Sequence, residues 1–326
     1  MRLHPRLTAA LAACSALCAS NVAAASAAAP RLLYSTCSPP GACTSFSVRS
    51  FDTASRASAP VVALPPGLAD FWFSNSALVG EDIALLSLQH PSDFSGALVA
   101  VNVSSRSVLS SFNVSRCVSI HLDPMDATRD TVACVSVLVG GACGAGVECL
   151  ELRHISRSTG ADTLVSSFAK GDMPIDVGTF DARRGVILAS FEPVDGGGNA
   201  SLVQIDPHTG RRVRQVDYAF TLSVISMQFD AAGGRVLCVA EDIARNEVFF
   251  GELDPDTATA TPIHTLNISE WKEYSPASAL APRAGLYFMA AFSNELHLLG
   301  LRLSDGAIAY DAVVEQPFTN LQVISE

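Results

Sequence analysis

Apolar positions along the chain fall into short runs rich in Val, Ile, Leu and Phe, with polar residues interleaved. Each run ends in residues that favour turns. Between residues 175 and 218 the pattern predicts four strands: Ile175–Phe180, Val186–Glu192, Ser201–Asp206 and Arg211–Tyr218. Their ends carry Asp-Ala-Arg-Arg-Gly and Asp-Pro-His-Thr-Gly, which is reverse-turn chemistry. No stretch sustains a helical period beyond a couple of turns. The chain therefore reads as all-β.

The strand groups repeat. Phe180-Asp-Ala-Arg-Arg-Gly and Phe229-Asp-Ala-Ala-Gly-Gly align without gaps 49 residues apart, preceded by Leu122-Asp-Pro and followed by Leu280-Ala-Pro. A second series runs in phase: Gln204-Ile-Asp-Pro-His-Thr-Gly, Glu252-Leu-Asp-Pro-Asp-Thr and Arg302-Leu-Ser-Asp-Gly. Upstream, Arg153–Gly160, Val101–Arg106 and Phe51–Arg56 take the same place. A four-stranded unit of about fifty residues cannot bury both faces alone and must stack on copies of itself, which is the logic of a β-propeller blade. Six units fit between Pro30 and Glu326. The C-terminal Phe318–Ser325 echoes the innermost strand that opens the fifth unit, while Arg31 begins like a second strand with no first. Pairing of the two ends would close the ring and leave no free sheet edge. The expectation is a six-bladed propeller over residues 30–326, with a two-sheet sandwich array as the rival.

These repeats resemble the broad group of six-bladed propellers of the TolB-like kind, and the Asp-Pro-x-Thr-Gly turn resembles that of YVTN and quinoprotein repeats. The resemblance implies a fold and no activity. The sialidase box, YWTD, kelch Gly-Gly pairs and recurrent Trp-Asp are missing, and tryptophan occurs only at Trp72 and Trp271.

Ahead of the repeats, Arg2 and Arg6 flank the short apolar run Leu7–Leu17, and Ala25-Ser-Ala fits the small-x-small rule for signal peptidase. The run is too short to span a bilayer, which takes about 20 residues. Residues 1–29 are thus expected to be a cleaved signal peptide, and the protein to be secreted. No later segment reads as a membrane span. Thr131–Leu152 is the most apolar but is broken by four glycines and two glutamates. The chain has 21 basic and 32 acidic residues, with lysine only at Lys170 and Lys272. This argues against binding nucleic acid or an anionic membrane, both of which select for Lys and Arg.

Export makes cysteine pairing the default. Cys37 with Cys43 and Cys143 with Cys149 each staple a six-residue step, and Cys117 and Cys134 lie across a hairpin. Three disulfides are expected, a metal site being the rival without CxxC spacing to support it. Cys238, inside an apolar strand, reads as a buried free thiol.

Candidate chemistry is sparse. There is no Gly-x-Ser-x-Gly elbow, and Gly196–Gly198 lacks the lysine of a phosphate loop. Histidines 90, 121, 154, 208, 264 and 297 are scattered rather than convergent. Asp123, Asp181, Asp206, Asp230 and Asp254 read as turn formers. The best carboxylate signal is Glu192 with Glu241, each eleven residues after an aligned aspartate and so at one end of adjacent blades. Asp176 begins the innermost strand of the fourth unit, and Asp195 and Asp242 sit in the loops after the glutamates. These groups would serve either as an acidic rim or as oxygen ligands for Ca²⁺ in a hydrolase or lyase. Some six-bladed propellers that this chain resembles are calcium-dependent lactonases, which the resemblance makes the enzymatic alternative.

Four sequons, at Asn102, Asn113, Asn199 and Asn267, fall at strand ends or in loops and suit a glycoprotein. The sequence-level expectation is a monomeric, disulfide-stapled propeller without a required cofactor. It would bind an extracellular protein or glycan at a channel mouth formed by the stapled loops and Glu192/Glu241. Trp271 and Tyr274 would supply aromatic contacts there.

Overall fold

The central strands of each repeat are buried on both faces. Ala84–Gln89, Gly96–Val101, Ser201–Ile205 and Val236–Ala240 carry no exposed residue, while the fourth strand of each repeat has a largely exposed face. Alternation is visible in outer strands, as over Ser107–Val114 and Ile308–Val314, and is lost in the central ones. The inner three are flanked by sheets on either side. The computed structural model describes residues 29–325 apart from 39–44, 65–67, 69–71, 80–81, 91–94, 116, 123–127, 140–147, 169–171, 194–198, 267–272 and 315–320; some strand-end side chains also lie outside this description.

Six four-stranded antiparallel sheets form a β-propeller. The first blade holds β1 (Arg31–Ser38), β2 (Ser45–Asp52) and β3 (Ala57–Ala63), and the second β4 (Trp72–Val79), β5 (Ile83–Gln89), β6 (Gly96–Asn102) and β7 (Ser107–Val114). The third is β8 (Cys117–Leu122), β9 (Thr131–Val139), β10 (Glu148–Ser156) and β11 (Asp162–Phe168). The fourth is β12 (Asp172–Asp181), β13 (Val186–Pro193), β14 (Ser201–Ile205) and β15 (Arg212–Asp217). The fifth is β16 (Leu222–Asp230), β17 (Arg235–Asp242), β18 (Glu247–Asp254) and β19 (Thr259–Leu266). The sixth is β20 (Glu273–Ala281), β21 (Leu286–Phe292), β22 (Leu296–Arg302) and β23 (Ile308–Val314), and β24 (Leu321–Ser325) follows it. The chain's last strand completes its first blade: β24 pairs antiparallel with β1, Leu321 opposite Tyr34 and Val323 opposite Leu32. Innermost strands touch in the order β4, β8, β12, β16, β20, β24 and back to β4, so the ring closes as the repeats imply.

The core is divided among the seams. Among the described residues, six apolar clusters each join two neighbouring blades, such as Leu237 and Phe250 with Tyr287 and Met289, or Leu188 and Tyr218 with Val236 and Phe249. Two buried phenols find partners: Tyr218 Oη lies 2.7 Å from Ser190 Oγ, and Tyr287 Oη lies 2.9 Å from Ser226 Oγ across the fifth seam. Polar bonds also cross the seams. Gln204 Nε2 donates to the Pro255 carbonyl at 2.8 Å, and His154 Nε2 lies 2.7 Å from that of Pro207. The prolines after Asp206 and Asp254 thus present their carbonyls to the preceding blade.

The third-to-fourth-strand turn is the most regular element. Its last residue has positive φ in all six blades: Arg56, Arg106, Gly160, Gly210, Ala258 and Gly306. Asp52, Asp206 and Asp254 cap such turns by accepting backbone N–H bonds at 2.8–2.9 Å, and Asp181 and Asp230 do the same in the first-to-second turns at 2.9–3.1 Å. Four of the five turn formers expected from the sequence are thereby seen in that role, and Asp123 lies outside the described residues.

Cys117 and Cys134 form the expected disulfide, Cα–Cα 5.4 Å, across the β8–β9 hairpin. Closing a loop of this length contributes about 3 kcal/mol by limiting the unfolded chain. Cys238 is free and fully buried, and burial pushes its thiol up to about 12, so it is inert as a nucleophile. The side chains of Cys37, Cys43, Cys143 and Cys149 lie outside the described residues, as do residues 1–28 and Asn267. Asn113 and Asn199 are exposed. Asn102 caps its turn by accepting from Ser105 N at 2.7 Å, and Ser104 of the same sequon bonds Asp82. Among the described residues no helix is long and apolar enough to cross a membrane.

Candidate functional site

Antiparallel order gives the ring two unlike ends. At one end lie the tight first-to-second and third-to-fourth turns. At the other, the second strand of each blade leads to the third and the fourth leads to the next blade. Glu192 and Glu241 both lie at this second end, six residues past Val186 and Arg235, which begin β13 and β17 at equivalent register. The connections from β1 to β2 and from β9 to β10, which span the Cys37–Cys43 and Cys143–Cys149 steps, belong to the same end.

Asp176 does not begin its strand. It lies inside β12, in a bulge between Pro174 and Gly178 where three residues face one on β13. Bulges at this level recur in β8, β16 and β20. Such bulges re-aim side chains next to a pore or site. The side chains of Asp176 and Glu192 are outside the described residues, as are Asp195, Trp271 and the side chain of Tyr274. Glu241 is half-buried, opposite Ser223 and Val248. Asp242 is not a free rim carboxylate: it accepts from Ala244 N at 3.1 Å and Arg245 N at 3.3 Å and pairs with Arg245 Nε at 3.5 Å. Among the described residues no three His, Cys, Asp or Glu side chains converge as metal ligands.

A polar layer missed by the sequence reading surrounds the axis. Thr179 Oγ1 accepts from Phe229 N of the next blade at 3.1 Å, and Gln228 Nε2 donates to Ser278 O at 3.0 Å and to its Oγ at 3.2 Å. His121 takes the matching place on β8, opposite Ala133, on the face turned toward the fourth blade. Each of these side chains bridges or faces the neighbouring inner strand. The signal available in the sequence was the residue two before each turn aspartate.

His121 is partly buried, and that burial pushes its imidazole down to about 4. Because the folded state resists protonation there, its contribution is complete above the unfolded value of 6.5 and is lost as pH falls toward 4. Unfolding free energy should decline across that window with a slope of up to about 1.4 kcal/mol per pH unit. Hydrogen bonds that favour the carboxylate hold Asp52 and Asp130 below 3.8, and at Asp206 burial works against the lowering but is outweighed by such bonds, so their losses fall at lower pH. Urea unfolding of His121→Gln at pH 7 and pH 5 should show the slope much reduced; an unchanged slope would place its origin elsewhere.

No family model matches the sequence, and no curated protein matches it. Solved structures share its architecture. TolB from Acinetobacter baumannii is 13% identical with a TM-score of 0.62, over 90% of this chain and 66% of that one, so this chain spans just under two thirds of its length. The periplasmic gluconolactonase of Pseudomonas aeruginosa is 12% identical, TM-score 0.54, over 90% and 98%. The Cps50 (Swd1) β-propeller domain of Myceliophteria thermophila is 10% identical, TM-score 0.52, over 85% and 82%. At these identities the likeness is one of fold, and it defines the chain as a generic six-bladed β-propeller.

Proposed function

We propose that the protein is an exported propeller that binds an extracellular protein or glycan at the end of the ring holding Glu192 and Glu241. One observation carries the reading. The two strand connections spanning six-residue cysteine pairs leave the ring at the same end as those glutamates. Short crosslinks there would hold the loops in a binding-ready form and lower the ordering cost of association. The Cys117–Cys134 disulfide and the leader-like N-terminus support an oxidising destination. The exposed sequons at Asn113 and Asn199 suit a glycoprotein.

The test is a glycan array and extracellular-protein panel probed with wild type, Glu192→Gln/Glu241→Gln, and Arg106→Asn at the opposite end. Binding lost only in the glutamate variant supports the reading, and equal binding by all three removes it. The thermal midpoint with EGTA against millimolar Ca²⁺ separates the metal-dependent hydrolase. Calcium at a hundred times its dissociation constant would stabilise the fold by about 2.7 kcal/mol. The binding-module reading expects no shift. A shift lost in the double glutamine variant would replace it with the metal-dependent one.

A further inference from the structure

The seam between the sixth and first blades differs from the others. In the third, fourth and sixth blades the left-handed turn residue is a glycine pressed against the preceding blade's outer strand. A Cβ there would lie 2.5 Å from Phe112, 2.2 Å from Ser166 or 2.4 Å from His264. In the first blade that place belongs to Arg56, φ 56°, whose guanidinium lies over the Tyr310 ring of β23, 5.7 Å from its centroid. Beside it, a cavity of about 240 Å³ is lined by Tyr34, Arg49, Phe51, Arg56, Ser58 and the Val313–Val314 end of β23.

Its polar wall carries two arginines, Arg49 and Arg56. Arg49 Nε donates to Ser58 Oγ at 2.8 Å, and Ser58 Oγ is 2.6 Å from Tyr34 Oη, so the guanidinium of Arg49 is held through Nε, and its two terminal nitrogens make no hydrogen bond among the described residues. Neither Arg49 nor Arg56 has a carboxylate partner among the described residues. In the same acidic chain Arg153, Arg184, Arg235, Arg245 and Arg302 each pair with an Asp or Glu. Nearby, Tyr310 Oη is buried with no hydrogen-bond partner among the described residues. Phe51 and the two valines add an apolar part to the lining.

The geometry points to a binding site in this seam for a small organic anion, a carboxylate or phosphate ester carried on an apolar or aromatic body. The arginine forks suit the planar or tetrahedral oxyanion, and the Phe51–Val313–Val314 wall takes the body. The volume equals roughly eight waters and lies below the usual range for drug-sized ligands, so the occupant is fragment-sized. This site is independent of the surface at the glutamate end of the ring.

Calorimetric titration of the disulfide-intact protein at low salt tests it, with phenyl phosphate, inorganic phosphate and phenol as probes. Phenyl phosphate should bind one to one, more tightly than inorganic phosphate, while phenol shows no saturable binding. Arg56→Asn should weaken phenyl phosphate at least tenfold, and so should Arg49→Gln. Asparagine tolerates positive φ, so the first variant keeps the turn, which its thermal midpoint checks. Arg106→Asn, at the equivalent position one blade on, should leave affinity unchanged. The proposal is overturned if phenyl phosphate does not bind, if phenol binds as well, or if the Arg56 and Arg49 variants bind like wild type.

Discussion

Truncation after Val314 should abolish cooperative folding, although it removes only twelve residues, 315–326. Leu321 is 1% exposed within the seam joining the sixth and first blades, and Ile324 is 6% exposed in the seam joining the first and second. Burial of two such side chains contributes about 3 to 6 kcal/mol. Their loss also leaves β1 as an unpaired edge beside the axis and breaks the contacts of β24 with β4 and β20. Set against a total stability of about 5–15 kcal/mol, the sum removes most of the margin. Urea denaturation followed by near-UV circular dichroism should show no native baseline in the truncated chain. A cooperative transition within about 2 kcal/mol of wild type would mean that β24 is dispensable and that the ring is held by the other four seams.

The second large effect is expected at Gly210. An alanine there must adopt φ +66°, which disfavours L-residues by about 1–2 kcal/mol. Its Cβ would also fall 2.2 Å from Ser166 Cβ, an atom fixed to the outer strand of the third blade. Overpacking of this kind costs roughly 1–3 kcal/mol, and Gly210→Ala should therefore destabilise by about 4 kcal/mol in all. Gly185→Ala is the matched control, with φ +68° and nothing within 4 Å of its Cβ. It should show the backbone component alone, and the difference between the two isolates the seam. Equal losses in both would mean that the third and fourth blades separate freely at that turn.

These two cases mark what could be read before the tertiary structure. The blade count, the closing strand and the turn aspartates follow from local rules: period-2 patterning, Asp-Pro and Gly turn chemistry, and a repeat near fifty residues. The same rules placed Glu192 and Glu241 at one end of adjacent blades, because equal offsets from aligned turns give equal register. They misplaced Asp176, since a bulge breaks the count along β12. They also counted Asp242 as a free rim acid, when its own turn and Arg245 consume it.

The sequence by itself determined the strands, their order and the closure of the ring, because each rests on residues close together in the chain or on the repeat. Only the tertiary structure decided what each seam contains. The Pro207 and Pro255 carbonyls, the Thr179 and Gln228 bridges and the partly buried His121 all acquire their roles from a neighbouring blade. Arg56 and Arg106 were visible as arginines where sister turns have glycine. That one of them borders a cavity, without a carboxylate partner among the described residues, depends on how blade six meets blade one, and no local pattern encodes that contact.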